Sequence, residues 1–195
     1  VGQLVLDFYR CAMLPLSNDR VQTGHNDSLS EIGVGVSEPT DPTADWDAAA
    51  FRARVPGPHF DPALTGSVLR SAADVVSGAP ELARLSLNIA VTHHDSRTTG
   101  KRLVYGGHTI GLALAQATRL IPNLVTVLAW ESCDHTGPVY ENDTLYSELS
   151  IEGAEPLPDA RGGVVRLRST VYAAAGSKSE DDRQVLDWRF TGLLF

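Results

Sequence analysis

Between Leu87 and Gln116 the chain reads LNIAVTHHDSRTTGKRLVYGGHTIGLALAQ, which sets Asn88, His93, His94 and Asp95 ahead of Gly106, Gly107 and His108. Histidine exchanges protons near neutral pH. The amino end of a buried helix carries unpaired N–H groups and a partial positive charge, and glycine there lets a ligand oxygen approach closely. The two together suit chemistry beside a thioester carbonyl, where a proton is moved while an enolate-like charge is held. Gly106 and Gly107 are the residues suited to holding that oxyanion.

Other chemistries fit the stretch less well. There is no GxSxG and no cysteine in the cluster, so a Ser or Cys triad lacks a nucleophile. A metal site built from His93, His94 and Asp95 suffers from adjacency, because neighbouring side chains point in different directions. GGHTIG lacks the Gly-Lys-Ser/Thr ending of a phosphate loop. Taken singly, each residue also reads as structural, the glycines permitting a tight turn and the histidines satisfied locally; taken as one constellation at the foot of a helix, they read as functional.

The elements that must position them follow from periodicity. GHTIGLALAQATRL (Gly107 to Leu120) is apolar nearly all round and predicts a buried central helix. LVTVLAWESC, TLYSELSIEG, GVVRLRSTVYAAA and QVLDWRFTGLLF carry strand character, most of them alternating apolar and polar residues. The connections between them are too short for crossover helices, so an antiparallel sheet is expected. One buried helix followed by such a meander is an α+β layer arrangement, with the sheet curled around the helix.

Upstream, APELARLSLNIA begins a helix near Pro80, DWDAAAF predicts a short turn capped by an Asp, and Thr65 to Val76 is ambiguous. Residues 17–58 read mostly as loop or linker, with 59–195 the main domain. GQLVLDFYRCAMLPL reads as a strand, and its Val5-Leu6-Asp7-Phe8 echoes Val185-Leu186-Asp187-Trp188, which suggests that residues 1–16 close a preceding, duplicated domain. The start at Val1 reads as a fragment or a processed product.

The 195 residues are 43% hydrophobic, which suits one core. A formal charge of -8 argues against a nucleic-acid surface. No apolar run reaches membrane-span length and no leader pattern opens the chain, so a cytoplasmic protein is expected. The two cysteines, Cys11 and Cys133, lie far apart and read as small apolar groups rather than a disulfide or zinc pair.

At this point the stretch resembles the MaoC-like family, the (R)-specific enoyl-CoA hydratases and related 3-hydroxyacyl-thioester dehydratases of the hot dog fold. That family's motif is Asp-x-Asn-Pro-aliphatic-His-x-Asp, followed by a Val-His-Gly entry into the central helix. Here Asn88 stands at the first position, His93 five residues on and Asp95 two further. LVYGG stands at the helix entry, with Tyr105 in place of the histidine and Gly106 at the oxyanion-donor position. GPVYENDTLYSELSI is similar to the family's turn into a strand. The resemblance covers Ala79 to Phe195. It implies a hot dog domain, one half of a double hot dog protein or one subunit of a dimer, binding an acyl-CoA or acyl-carrier thioester and neither nucleic acid nor membrane.

The resemblance further implies a hydratase or dehydratase needing no metal or redox cofactor. His93 would be the acid/base and Asn88, which cannot accept a proton at neutral pH, would position water. Asp95 would fix the loop and His108 would cap the helix or contact substrate beside Gly107; Arg97, Lys101 and Arg102, the local basic cluster near the motif, read either as a site for coenzyme A phosphates or as a solvated loop. The family's proline is missing, and the distance from His93 to Gly106 is shorter than usual. Two alternatives stay open. One is an acyl-CoA-binding hot dog protein that has lost its motif Asp, and the other is a hot dog thioesterase, against which the absence of a carboxylate on GGHTIGLALAQATRL weighs.

Overall fold

Four long strands form the body of the sheet, with burial alternating along the whole of the third: β3 (Leu124–Asp134), β4 (Thr144–Pro156), β5 (Gly163–Ala173) and β6 (Arg183–Leu194). A computed structural model of the chain describes residues 43–97, 100–176 and 181–195, together with Phe8, Asn18, Gln22 and Gly24. The strand expected over residues 1–16 lies outside the described residues. Asp47–Phe195 forms one compact unit.

The segment that was ambiguous in sequence holds two short strands, β1 (Val68–Arg70) and β2 (Asp74–Val75). Every pairing is antiparallel, in the order β1-β4-β5-β6-β3, with β2 also on β4. Short strands of this kind owe their shape to β4 rather than to their own pattern. β3 forms one edge, and its pairing with β6 slips register at three places.

Period-2 alternation sends Val165, Leu167, Ser169 and Val171 of β5, with Leu186, Trp188 and Phe190 of β6, to one face. Against that face lies α3 (Gly106–Leu120), presenting Thr109, Ala113, Gln116 and Ala117. Thr109, Ala113 and Ala117 are small and let helix and sheet approach closely. The helix is not buried on all sides, as its apolar sequence suggested: Leu112 and Leu114 are half-buried and Gly111 is exposed. The sheet of one domain covers only one flank of the helix.

Gln116 is the buried polar residue of that interface. Its Nε2 donates to Leu145 O at 3.0 Å and to Asp74 Oδ2 at 2.8 Å, while its Oε1 accepts from Ser147 Oγ. Asp74 also pairs with Arg119. The amide therefore ties α3 to β4 and β2 with its polar groups satisfied.

Two helices precede the site. α1 (Ala48–Arg54) is capped by Asp47, whose Oδ1 accepts from Ala50 N at 2.9 Å, as DWDAAAF predicts. Its Phe51 meets Phe195 edge to face at 5.7 Å, in a second small cluster with Leu193. α2 (Ala79–Leu85) carries Pro80 in its first turn. Among the described residues no helix is long and apolar enough to cross a membrane.

Ser169 Oγ is buried without a hydrogen-bond partner among the described residues. Removing an unpaired buried hydroxyl relieves a desolvation cost. Ser169→Ala is therefore expected to leave stability unchanged or to raise it by about 1 kcal/mol, read from the urea midpoint; a loss of similar size would show that the hydroxyl has a partner.

Candidate active site

α2 ends in a Schellman turn that delivers Asn88. Leu87 N donates to Arg84 O at 3.1 Å and Asn88 N to Ala83 O at 2.9 Å. The turn needs a left-handed residue, and Leu87 fills it at φ 57°, a position glycine usually takes and a strained one for leucine. Asn88 Oδ1 then accepts from Ala90 N at 3.0 Å, so the oxygen of its amide is engaged and its NH2 remains for other partners.

A single 3-10 turn, Val91–His93, follows. Leu103 clamps it from the other side: its N–H donates to Thr92 O at 3.2 Å, and its carbonyl sits 2.9 Å from His93 Nδ1. A carbonyl can only accept, so Nδ1 carries the proton and Nε2 of the neutral ring keeps its lone pair. Leu103 is itself held by a bridge to Tyr140, with Val104 N donating to Val139 O at 2.8 Å. His94 turns the other way, with its Nε2 2.5 Å from Asn88 O.

Asp95 fixes the loop. It accepts from Arg97 N at 2.9 Å and from the Arg97 guanidinium through both oxygens. That pairing pulls its pKa down to about 2. A depressed carboxyl contributes stability at pH values above its ordinary range, and the contribution is lost as pH falls from about 4 towards 2. A carboxyl 13C titration of Asp95 is expected to show a midpoint near 2; a midpoint near 4, the ordinary Asp value, would mean that the loop is open in solution.

Arg102 pairs with Glu141, its Nε also donating to His94 O at 3.3 Å. Lys101 Nζ lies 5.6 Å from the Tyr140 ring centre. Arg97 and Arg102 each face a carboxylate, Asp95 and Glu141. An open cleft of ≈ 430 Å³ runs between Ser96, Gly100, Lys101 and Arg102 on one side and Tyr140, Glu141, Asn142 and Asp143 on the other.

The helix entry places Tyr105 at the N-cap of α3, with no side-chain cap bond. Gly106 and Gly107 open the first turn, each under an aromatic ring. A Cβ on Gly107 would meet the Tyr105 ring at 2.5 Å, and one on Gly106 would meet His135 Nε2 at 2.7 Å. Tyr105 in turn lies edge to face with His93, the ring centres 6.0 Å apart. His93, Tyr105 and the glycine turn are thus contiguous. His108 does not cap the helix as expected: its backbone N–H bonds Tyr105 O at 2.9 Å, while Nδ1 is buried without a partner among the described residues. Burial lowers its pKa, because the charged ring loses its solvation.

Sequence reading missed His135, which follows β3 and is separated from the motif by the whole of α3. Cys133, expected as a small apolar group, is half-buried, and burial raises its thiol pKa to about 11. Cys11 lies outside the described residues.

An antiparallel sheet wrapped over a central helix that opens on glycines is the hot dog fold, and the likeness of this chain is to the MaoC-like dehydratases built on it. It is 69% identical, at a TM-score of 0.78, to a conserved hypothetical protein of Mycobacterium tuberculosis with a double hot dog fold, over 87% of this chain and 51% of that one. The MaoC-like dehydratase of Rhodospirillum rubrum shares the fold at a TM-score of 0.54 and 16% identity, over 67% of this chain and 92% of that one. Among curated proteins, mesaconyl-CoA hydratase of Cereibacter sphaeroides is 32% identical over 87 residues, 44% of this chain and 25% of that protein. β-Methylmalyl-CoA dehydratase of Chloroflexus aurantiacus is 32% identical over 92 residues, 44% of this chain and 26% of that protein. The chain spans about half the length of the double hot dog protein and about a quarter of each curated relative. No family model matches it.

Proposed function

We propose that this domain adds water to, or removes it from, an α,β-unsaturated or 3-hydroxyacyl thioester of coenzyme A, with His93 as the proton carrier. The observation that carries the reading is the Nδ1–H bond to Leu103 O, which fixes the tautomer and leaves Nε2 as a base beside a glycine-led helix N-terminus. In hydration, Nε2 takes a proton from water as the water oxygen bonds C3. The C2–C3 electron pair shifts towards C2 and the thioester oxygen, where the N–H groups of the first turn meet the developing charge. His93 then returns its proton to C2, and the enzyme is restored. Asn88, its Oδ1 engaged with Ala90, orients the water through its NH2 and takes no proton.

The names of the two curated relatives support a CoA thioester as substrate. Proton transfer and an oxyanion donor suffice for this reaction, so the reading calls for no metal or redox cofactor. Arg97, Lys101 and Arg102 remain the residues proposed for the coenzyme A phosphates, the two arginines exchanging a carboxylate partner on binding. The domain works with a second hot dog, in the same chain or as a homodimer, in the cytoplasm. Its coverage of half a double hot dog relative supports that pairing.

The test is the absorbance of the enoyl thioester, followed with crotonyl-CoA and with mesaconyl-CoA. A decay that depends on protein concentration supports hydration. Unchanged absorbance with both, alongside tight binding, would favour an acyl-CoA-binding protein, the reading that Asn88 in place of the motif Asp supports. Release of free coenzyme A thiol would mark a thioesterase.

A further inference from the structure

The turn that carries His93 is tied to one short segment through three successive residues. Leu103 N–H donates to Thr92 O at 3.2 Å, His93 Nδ1–H donates to Leu103 O at 2.9 Å, and Arg102 Nε donates to His94 O at 3.3 Å. The first two bonds are made by the backbone of Leu103. The third is made by a side chain, and it catches the carbonyl at which the chain leaves the 3-10 turn. That bond opposes a pivot of the turn about Thr92, so the ring keeps its angle to Leu103 O.

An arginine on a flexible stem holds a carbonyl well only if its guanidinium is itself fixed. Glu141 supplies the anchor. Its carboxylate pairs with Arg102 Nη1, and its N–H donates to Arg102 O at 3.1 Å. The two side chains are 21% and 26% exposed, against 61% for each member of the surface pair Arg84–Glu81, so solvent screens the contact less. Glu141 is in turn presented by a pinned segment. Tyr140 N donates to Asp143 Oδ2 at 2.9 Å, Asp143 N to Tyr140 O at 3.0 Å and Asn142 N to Val76 O at 2.9 Å.

Resting on the hydratase reading above, we infer that Glu141 is a positioning residue for His93, acting through the Arg102 guanidinium on the turn that fixes the tautomer of the base. Glu141 exchanges no proton in this role. With Arg102 anchored at Nη1, Nε stays on His94 O, and Nδ1 rather than Nε2 of His93 carries the proton. A phosphate that replaced Glu141 at the guanidinium can leave the Nε bond in place, so a role for Arg102 towards coenzyme A does not undo the arrangement.

The experiment compares full-length wild type with Glu141→Ala, Glu141→Gln and Arg102→Lys. Long-range 1H–15N spectra of the imidazoles are recorded at mildly alkaline pH, where a free histidine ring is neutral, and the His93 signals are identified by their absence from His93→Ala. Wild type is expected to show Nδ1 protonated and Nε2 bare. Glu141→Ala is expected to show a mixture of the two tautomers, as is Arg102→Lys, whose ammonium lacks the fork that reaches both partners. Glu141→Gln falls between, because its amide oxygen still accepts from Arg102. Wild type with the proton on Nε2, or a single Nδ1–H tautomer in Glu141→Ala, overturns the inference; should that variant not fold, Arg102→Lys is read in its place. Crotonyl-CoA hydration is followed in parallel. Its kcat/KM is expected to fall about tenfold or more in Glu141→Ala, since an ångström of misplacement costs up to about 10²-fold, and to recover in part with Gln. Tautomers that shift in a protein that hydrates nothing would sink the hydratase reading and leave Glu141 as the residue that orients His93. An active wild type whose tautomer and rate survive Glu141→Ala would overturn the role of Glu141 and leave His93 standing.

Discussion

Replacing His93 with alanine is expected to slow hydration of an enoyl thioester by about 10²–10⁴-fold, the span that a positioned general base contributes. The magnitude rests on a ring already oriented: the Leu103 carbonyl holds Nδ1–H, and no reorientation of the ring is required before Nε2 meets water. The fall belongs in kcat/KM and in kcat alike, since the lost contact is to the water proton rather than to the acyl group. The substitution also removes one partly buried hydrogen bond, a cost of about 1 kcal/mol, so the variant stays folded at the assay temperature. His94→Ala is the control, because it loses a bond to Asn88 O without touching the base and should change the rate far less. A His93→Ala rate within threefold of wild type would remove His93 from the chemistry, by a margin well inside the fall expected for a general base.

The second large effect is on stability. Trp188→Ala is expected to cost about 3–5 kcal/mol, the usual loss for emptying a large aromatic site in a core. Trp188 is 1% exposed, stacked on Phe190 with ring centres 4.0 Å apart and met edge to face by Trp130 at 5.0 Å. Its indole Nε1 has no partner among the described residues, so the stabilisation comes from area and ring packing rather than from a hydrogen bond. Trp188→Phe should therefore lose less than half as much. Urea unfolding of the two variants beside wild type decides the point, and equal losses would mean that Nε1–H is bonded after all.

The sequence carried the hot dog architecture where the pattern was long. Period-2 alternation in GVVRLRSTVYAAA and QVLDWRFTGLLF survives as β5 and β6 almost residue for residue, and the apolar run after Gly106 is α3. Where the elements are short the pattern fails, because β1 and β2 are strands only by pairing with β4. The site divides in the same way. His93 and the glycines share one contiguous stretch, and the family motif picks them out. His135 stands alone after a strand, and only the closure of the sheet carries it to Gly106. The burial of Gln116 is equally silent in sequence, since a glutamine among Ala and Leu reads as a surface residue of a helix.

Gln116 bears on the site from a distance. It sits roughly ten residues beyond Gly106 in the same helix, about 15 Å along the axis at 1.5 Å per residue. Bonds to Leu145 O, Ser147 Oγ and Asp74 fix its height against β4, and a helix transmits an axial displacement as a rigid rod does. The amide therefore works as a depth gauge. It sets how far the glycine turn protrudes beneath Tyr105 and His135, and a change of one methylene at position 116 would be felt as a change of reach at the opposite end.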